Sequence, residues 1–226
     1  MKKGKFIVID GTDGTGKGTQ TTKLVERLKN QGHDVELMDF PQYGNPSAWF
    51  VEEYLNGNFG TINEVTPKQA SYFYALDRYV ASFKLREYLD QGKIVISNRY
   101  VTASMGHQGT KFDNVENRKE FFSWLYNLEY NDLQIPKPDL TLIMHMPADI
   151  AQKLVDEKGH RDYVGGEKRD IHEADLGHLE KAEKVYLEMA DLFEDFELIE
   201  CYEGNRLLSI DEVHEKVWKI IKNEID

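Results

Sequence analysis

The chain has 226 residues, with 28 Lys+Arg against 40 Asp+Glu for a formal charge of −12 at pH 7, and one cysteine, Cys201. Roughly 70% of the unfolded surface can be buried at this length, which suits a single domain over residues 1–226 without a linker-like break. The acidic balance opposes non-specific attachment to nucleic acid or an anionic membrane, and a lone cysteine excludes an intrachain disulfide. No apolar run approaches membrane-spanning length, and Lys2-Lys3 leads into a strand without the apolar segment of a signal peptide. A cytoplasmic protein is expected.

The first strand, expected over 6–10, runs into Gly11-Thr12-Asp13-Gly14-Thr15-Gly16-Lys17-Gly18-Thr19. Glycines let successive backbone N–H groups turn around an anion, the helix that follows over 21–28 offers its positive N-terminal end, and Lys17 adds a full charge. A nucleoside triphosphate is the ligand this pattern suits. The strict motif has Ser or Thr directly after the lysine, where this chain has Gly18 and then Thr19. A glycine-rich turn with an incidental lysine is the plain alternative.

A second strand is expected over 35–40. Phe40-Pro41-Gln42-Tyr43-Gly44 then supplies either a wall and a phenol donor for a ligand or simply a turn. A helix over 67–89 opens with Thr66 as N-cap and Pro67 in the first turn. On it Tyr74 and Arg78 are four apart and share a face. That places a ring able to stack on a planar base beside a guanidinium that would favour a carbonyl edge, or else core packing beside an ion pair with Asp77. The strand over 94–97 ends at Asn98-Arg99-Tyr100, the sheet edge where open α/β folds bind ligands. Arg99 there can grip a phosphate bidentately or close the strand end with a salt bridge.

Further helices are expected over 116–130, 148–156, 174–192 and 211–223, and strands over 140–146 and 197–201, with Cys201 as core packing. The polar segment 160–170, with its Gly165-Gly166 pair and alternating charges, reads as a solvated loop or as a lid over phosphates. Strands alternating with helices imply an α/β fold built on a five-stranded parallel sheet flanked by helices.

Several stretches together resemble the thymidylate kinases, P-loop enzymes that transfer a phosphoryl group from ATP to dTMP. They are Ile9 to Lys17, Phe40-Pro41-Gln42-Tyr43, Tyr74-Ala75-Leu76-Asp77-Arg78, Asn98 to Ser104, Pro136-Lys137-Pro138-Asp139 and Arg169-Asp170-Ile171-His172-Glu173. The resemblance implies a P-loop three-layer sandwich with a mobile lid at about 158–172. It implies ATP binding by Gly11, Thr12, Asp13, Gly14, Thr15, Gly16, Lys17, Gly18 and Thr19. For dTMP it implies Asp13 at the 3′-hydroxyl, Arg99 and Tyr43 at the phosphate, Tyr74 and Arg78 at thymine, and Phe40 as part of the wall. Ser104 lies near the base edge, and His107 and His172 near the sugar. Arg161, Lys168 and Arg169 of the lid, with Lys17 and Arg99, would serve the transfer. Mg²⁺ would be held mainly by phosphates and water, with Asn98 or Glu173 nearby. Similar enzymes are homodimers. Asn98 stands where the family usually has an aspartate, Gly16-Lys17-Gly18-Thr19-Gln20 looks more like the loop of adenylate kinases, and His107 and His172 stand where the family often has a bulky aromatic. These departures leave room for a kinase of another nucleoside monophosphate, of AMP or dCMP type, or for a nucleotide-binding sensor without activity.

Overall fold

The computed structural model describes residues 3–157 and 176–225. Its strands are β1 Lys5–Gly11, β2 Val35–Asp39, β3 Ile94–Asn98, β4 Leu140–His145 and β5 Phe196–Glu200, all parallel in one sheet of order β2-β3-β1-β4-β5. β1 is central, with Ile7 opposite Ile96 on one side and Leu140 on the other. Since successive side chains of a strand face opposite ways, a sheet covered on both faces needs apolar residues at nearly every position. Phe6 and Val8 accordingly enter one core layer, and Ile7 and Ile9 the other. Each such buried side chain contributes on the order of 1.5–3 kcal/mol, so the register of β1 is fixed from both faces.

One layer is closed by α1 Lys17–Asn30, α6 Ala148–Glu157 and α8 Ile210–Ile225, through Leu24, Leu28, Ala151, Val217 and Ile221. The other is closed by α3 Pro67–Asp90, α4 Val101–Gly109, α5 Val115–Tyr126 and α7 Leu176–Leu192, through Leu85, Met105, Phe122, Tyr186 and Met189. A smaller cluster joins α2 Trp49–Leu55 to the start of α3 through Val51, Tyr54 and Ala70, with Tyr43, Phe73 and Tyr74 packed on it. A short hairpin, β6 Tyr202–Glu203 and β7 Arg206–Leu207, follows β5.

The expected strands and most helices appear with ends shifted by a residue or two. Thr66 caps α3 with a full capping box, its hydroxyl accepting from the Gln69 backbone while Gln69 accepts from Thr66 N–H. The helix expected over 116–130 divides instead. α5 ends at Tyr126 and a π-helical turn, Asn127–Asp132, takes over, which turns Glu129 fully into the interior. The helices α2 and α4 were not expected. α4 contains Thr, Val and two glycines, poor helix formers, and owes its existence to burial of nearly its whole surface. Cys201 is buried as expected, and burial pushes its thiol up to about 12. The lid expected at 158–172 lies outside the described residues. Among the described residues no helix is long and apolar enough to cross a membrane.

Candidate active site

The carboxyl ends of β1 and β3 carry the site. The loop after β1 needs glycine where backbones come together: a Cβ on Gly11 would lie 2.3 Å from the Met144 carbonyl oxygen, and one on Gly14 2.2 Å from that of Ala151, both with positive φ. The loop is therefore wedged against β4 and α6. Thr15 Oγ1 donates to the Thr12 carbonyl at 2.8 Å and closes the turn. α1 then begins with no acidic residue in its first turn, so its positive end is not neutralised locally. Gly18 and Thr19 are exposed there. Beneath the loop, Asp10 is completely buried and accepts from Gly11 N–H at 2.8 Å, Thr102 Oγ1 at 2.5 Å and Tyr186 Oη at 3.0 Å. That carboxylate ties the loop to α4 and α7.

Two cations converge on one oxygen. Lys17 Nζ donates to Asp13 Oδ1 at 3.2 Å and to the Thr12 carbonyl at 3.1 Å, while Arg99 Nη2 reaches the same Asp13 Oδ1 at 2.5 Å. Burial opposes the ionised form of Asp13, but Arg99 and then Lys17 overcome it and hold the carboxyl well below its usual range. Burial, followed by the charge of Arg99, lowers Lys17. Burial likewise works against the charge of Arg99, yet Asp13 outweighs it and the guanidinium stays protonated far above neutral pH. Asp13 Oδ2 has no partner among the described residues and remains able to accept a hydroxyl.

Arg99 sits at φ 65, in the left-handed region that costs a non-glycine residue on the order of 1–3 kcal/mol unless its surroundings impose it. Here they do. Its N–H donates to Ile9 O at 2.9 Å, and its carbonyl accepts from Ser97 Oγ at 2.7 Å. Its Nη1 meets His107 Nε2 at 2.9 Å. His107 stacks on His178 of α7, ring centroids 5.6 Å apart and 14° from parallel. Tyr43 lies close enough to act on the charge of Arg99.

Deeper on the same side, Arg78 is 2% exposed and Glu129 is 0% exposed, so neither charge is solvated. Arg78 Nε and Nη2 fork onto the Glu129 carboxylate, the closest contact being 2.5 Å, while Nη1 donates to Tyr100 O at 3.2 Å and Nη2 to Ser104 Oγ at 2.9 Å. Four of the five guanidinium hydrogens are thus committed, leaving one on Nη1. Asp77, the partner weighed from sequence, instead accepts from Gln42 N–H at 2.9 Å and Ser47 Oγ at 2.6 Å. Tyr74, one turn before Arg78, is partly exposed and packs edge-on against Tyr54. Phe40 is buried in the core against the Tyr100 ring.

The structure therefore brings together Asp13, Lys17, Tyr43, Arg99 and His107 on one edge, with Arg78 and Ser104 bonded to each other beneath. Arg161, Lys168, Arg169, His172 and Glu173 lie outside the described residues. Asp10, Glu129, His178 and Tyr186 escaped the sequence reading because each acts through a partner remote in the chain. Only Asp10, adjoining the glycine loop, carried a local signal. For a divalent cation, the described residues contain no cluster of three or more His, Cys, Asp or Glu able to hold one. They do contain Asn98, whose Nδ2 donates to Asp39 Oδ1 at 2.9 Å and whose buried Oδ1 has no partner. An orphaned acceptor beside a carboxylate fits the water shell of Mg²⁺ rather than a direct protein cage.

A family model described as thymidylate kinase matches residues 9–217. The chain is 27% identical over 224 residues to a probable thymidylate kinase of Pyrococcus abyssi, covering 99% of this chain and 98% of that protein. It is 28% identical over 213 residues to the thymidylate kinase of Homo sapiens, covering 94% and 92%. Among solved structures, the thymidylate kinase of Candida albicans superposes with a TM-score of 0.75 at 22% identity, over 98% of this chain and 92% of that one.

Proposed function

The chain belongs to the thymidylate kinase family, and from that premise we propose that it phosphorylates dTMP to dTDP with ATP as donor, in the supply of dTTP. The observation that carries this reading is the meeting of Lys17 and Arg99 on a single oxygen of Asp13. Lys17, the loop amides and the α1 N-terminus grip the donor phosphates. Arg99, with the Tyr43 phenol, grips the acceptor phosphate, and the two grips lie side by side as transfer requires. Nucleotide phosphates would take over the cations that Asp13 now holds, and Asp13 Oδ2 would accept from the 3′-hydroxyl of the sugar.

In the reaction an oxygen of the dTMP phosphate forms a bond to the γ-phosphorus while the bond from that phosphorus to the β–γ bridging oxygen breaks, and ADP leaves with those electrons. The attacking oxygen is already ionised, so the protein need not supply a general base. It supplies alignment and positive charge around the equatorial oxygens. Asn98 Oδ1 and Asp39 would hold the water shell of a Mg²⁺ ion, which would supply positive charge to the donor phosphates. The remaining Nη1 hydrogen of Arg78 would meet a thymine carbonyl and Tyr74 would stack on the ring. Ser104 supports Arg78, and Phe40 backs the wall from within the core.

The rest of the reading rests on the family resemblance: residues 1–226 act as one unit, and basic residues of the segment 158–172 approach the transferring group. Cytoplasmic residence and a homodimer complete it. The relatives named above are all thymidylate kinases, which gives no support to an AMP- or dCMP-type kinase or to an inactive sensor. The test is ADP release with ATP, Mg²⁺ and a panel of dTMP, dUMP, AMP and dCMP. dTMP should be the best acceptor; preference for AMP or dCMP would overturn the substrate, and no turnover with any of them would overturn the kinase.

A further inference from the structure

The carboxyl end of β4 carries an ionisable group that the transfer just described does not use. His145 Nδ1 lies 2.6 Å from Glu200 Oε2 of β5, and its Nε2 lies 3.0 Å from Glu183 Oε1 of α7. A carboxylate oxygen only accepts and a neutral imidazole has one hydrogen to give, so the ring satisfies both partners only as imidazolium. The other oxygen of Glu183 accepts from Ala148 N–H at 2.9 Å. That amide belongs to the first turn of α6, where donors have no partner within the helix and a negative charge meets the positive helix end. Glu183 thus caps α6 from a neighbouring helix, and His145 holds Glu183 in place to do so.

The cluster sits between the two backbone carbonyls that wedge the glycine loop. Met144, whose carbonyl packs on Gly11, directly precedes His145, and Ala151, whose carbonyl packs on Gly14, follows one turn after the capped Ala148. We propose that His145, as the imidazolium bridging Glu183 and Glu200, is a positioning residue that seats α6 behind the glycine loop and so tightens the grip on the donor phosphates. Without its proton the ring sets a lone pair against a carboxylate and can hold only one of the two. Burial opposes the charge on His145, but the bonds to Glu183 and Glu200 outweigh it and raise the ring above its usual range. The seat is therefore complete at acid and neutral pH and is lost as pH rises through that higher value. Other charged groups on the surrounding elements have their own partners or face solvent. Lys216 of α8 donates to the Glu200 carbonyl and to Glu203, Asp149 and Lys153 of α6 are exposed and paired with each other, and Glu180 and Lys184 of α7 are exposed. Cys201 N–H donates to the His145 carbonyl at 2.9 Å, and its thiol, pushed up to about 12, stays protonated.

The inference rests on the glycine loop being the donor grip, and the experiment separates the two ideas. Kd for ATP with Mg²⁺ and Kd for dTMP are measured by titration calorimetry on the full chain for the wild type, His145→Gln and Lys17→Gln, at about pH 7 and about pH 9, above the range in which phosphates titrate. His145→Gln cannot exchange a proton there, so lysine titration is common to it and the wild type, and the difference between them belongs to His145. From the lower to the upper pH the wild type should lose about fivefold more affinity for ATP than His145→Gln, the lower end of coupling between linked sites. Affinity for dTMP should change alike in both. Parallel loss of ATP affinity, even beside a pH-dependent difference in unfolding free energy, would make the bridge merely structural and overturn the proposal; an equal extra loss for dTMP would mark general loosening and overturn it too. If Lys17→Gln binds ATP as the wild type does, the donor grip itself fails. Nitrogen-15 NMR of the wild type checks the charge without any variant. At about pH 6.5, where an unperturbed histidine is half protonated, His145 should carry a hydrogen on both nitrogens, and a neutral ring there would overturn the proposal.

Discussion

Arg78 and Glu129 show how much a single residue depends on a partner the chain does not announce. An arginine buried without water is tolerable only if a carboxylate faces it, and taking away one member of such a pair leaves the other charge stranded. Replacing Glu129 by Gln keeps the shape and removes the charge. The variant should lose about 3 kcal/mol of unfolding free energy in a urea titration, and KM for dTMP should rise while KM for ATP holds. Stability equal to wild type would show that Arg78 does not rely on Glu129. The position of Arg78 was legible from helical spacing, and the glycine loop from its local pattern, because both signals lie within a few residues. Glu129 was not, since it is 51 positions away and enters the core only through a π-helical turn.

At the scale of elements, α3 does two things at once. Its inner face packs Ala81, Leu85 and Leu89 against the sheet and delivers Arg78 to the site. Its outer face leaves Tyr72, Leu76, Tyr79, Val80 and Phe83 exposed, between 36% and 60% each. These residues recur at helical spacing and form an apolar stripe of the kind that marks an interaction surface. That stripe would suit the interface of the proposed homodimer and gives the proposal a test. The wild type should sediment at twice the chain mass, and Val80→Glu combined with Phe83→Glu should sediment as a monomer with its fold intact. A wild-type monomer would remove the dimer from the account. The alternation of strands and helices was readable because burial on both faces of a parallel sheet demands apolar runs. α4 was not readable, because its residues are poor helix formers and its conformation is imposed by the layers around it.

For the molecule as a whole, the sheet order places β1 between β3 and β4, so the two grips come from adjacent strand ends. Lys17 follows β1, Arg99 follows β3, and Asp13 between them receives both. On the proposed reading the fold thereby brings the donor and acceptor sites to a common rim, and the central claim is that the two nucleotides' phosphates meet there. The most direct measurement uses one molecule carrying adenosine and thymidine at the two ends of a polyphosphate chain, tested as an inhibitor of ADP formation. Spanning both sites, it should compete with ATP and with dTMP alike. Competition against only one of the two nucleotides would contradict a shared rim.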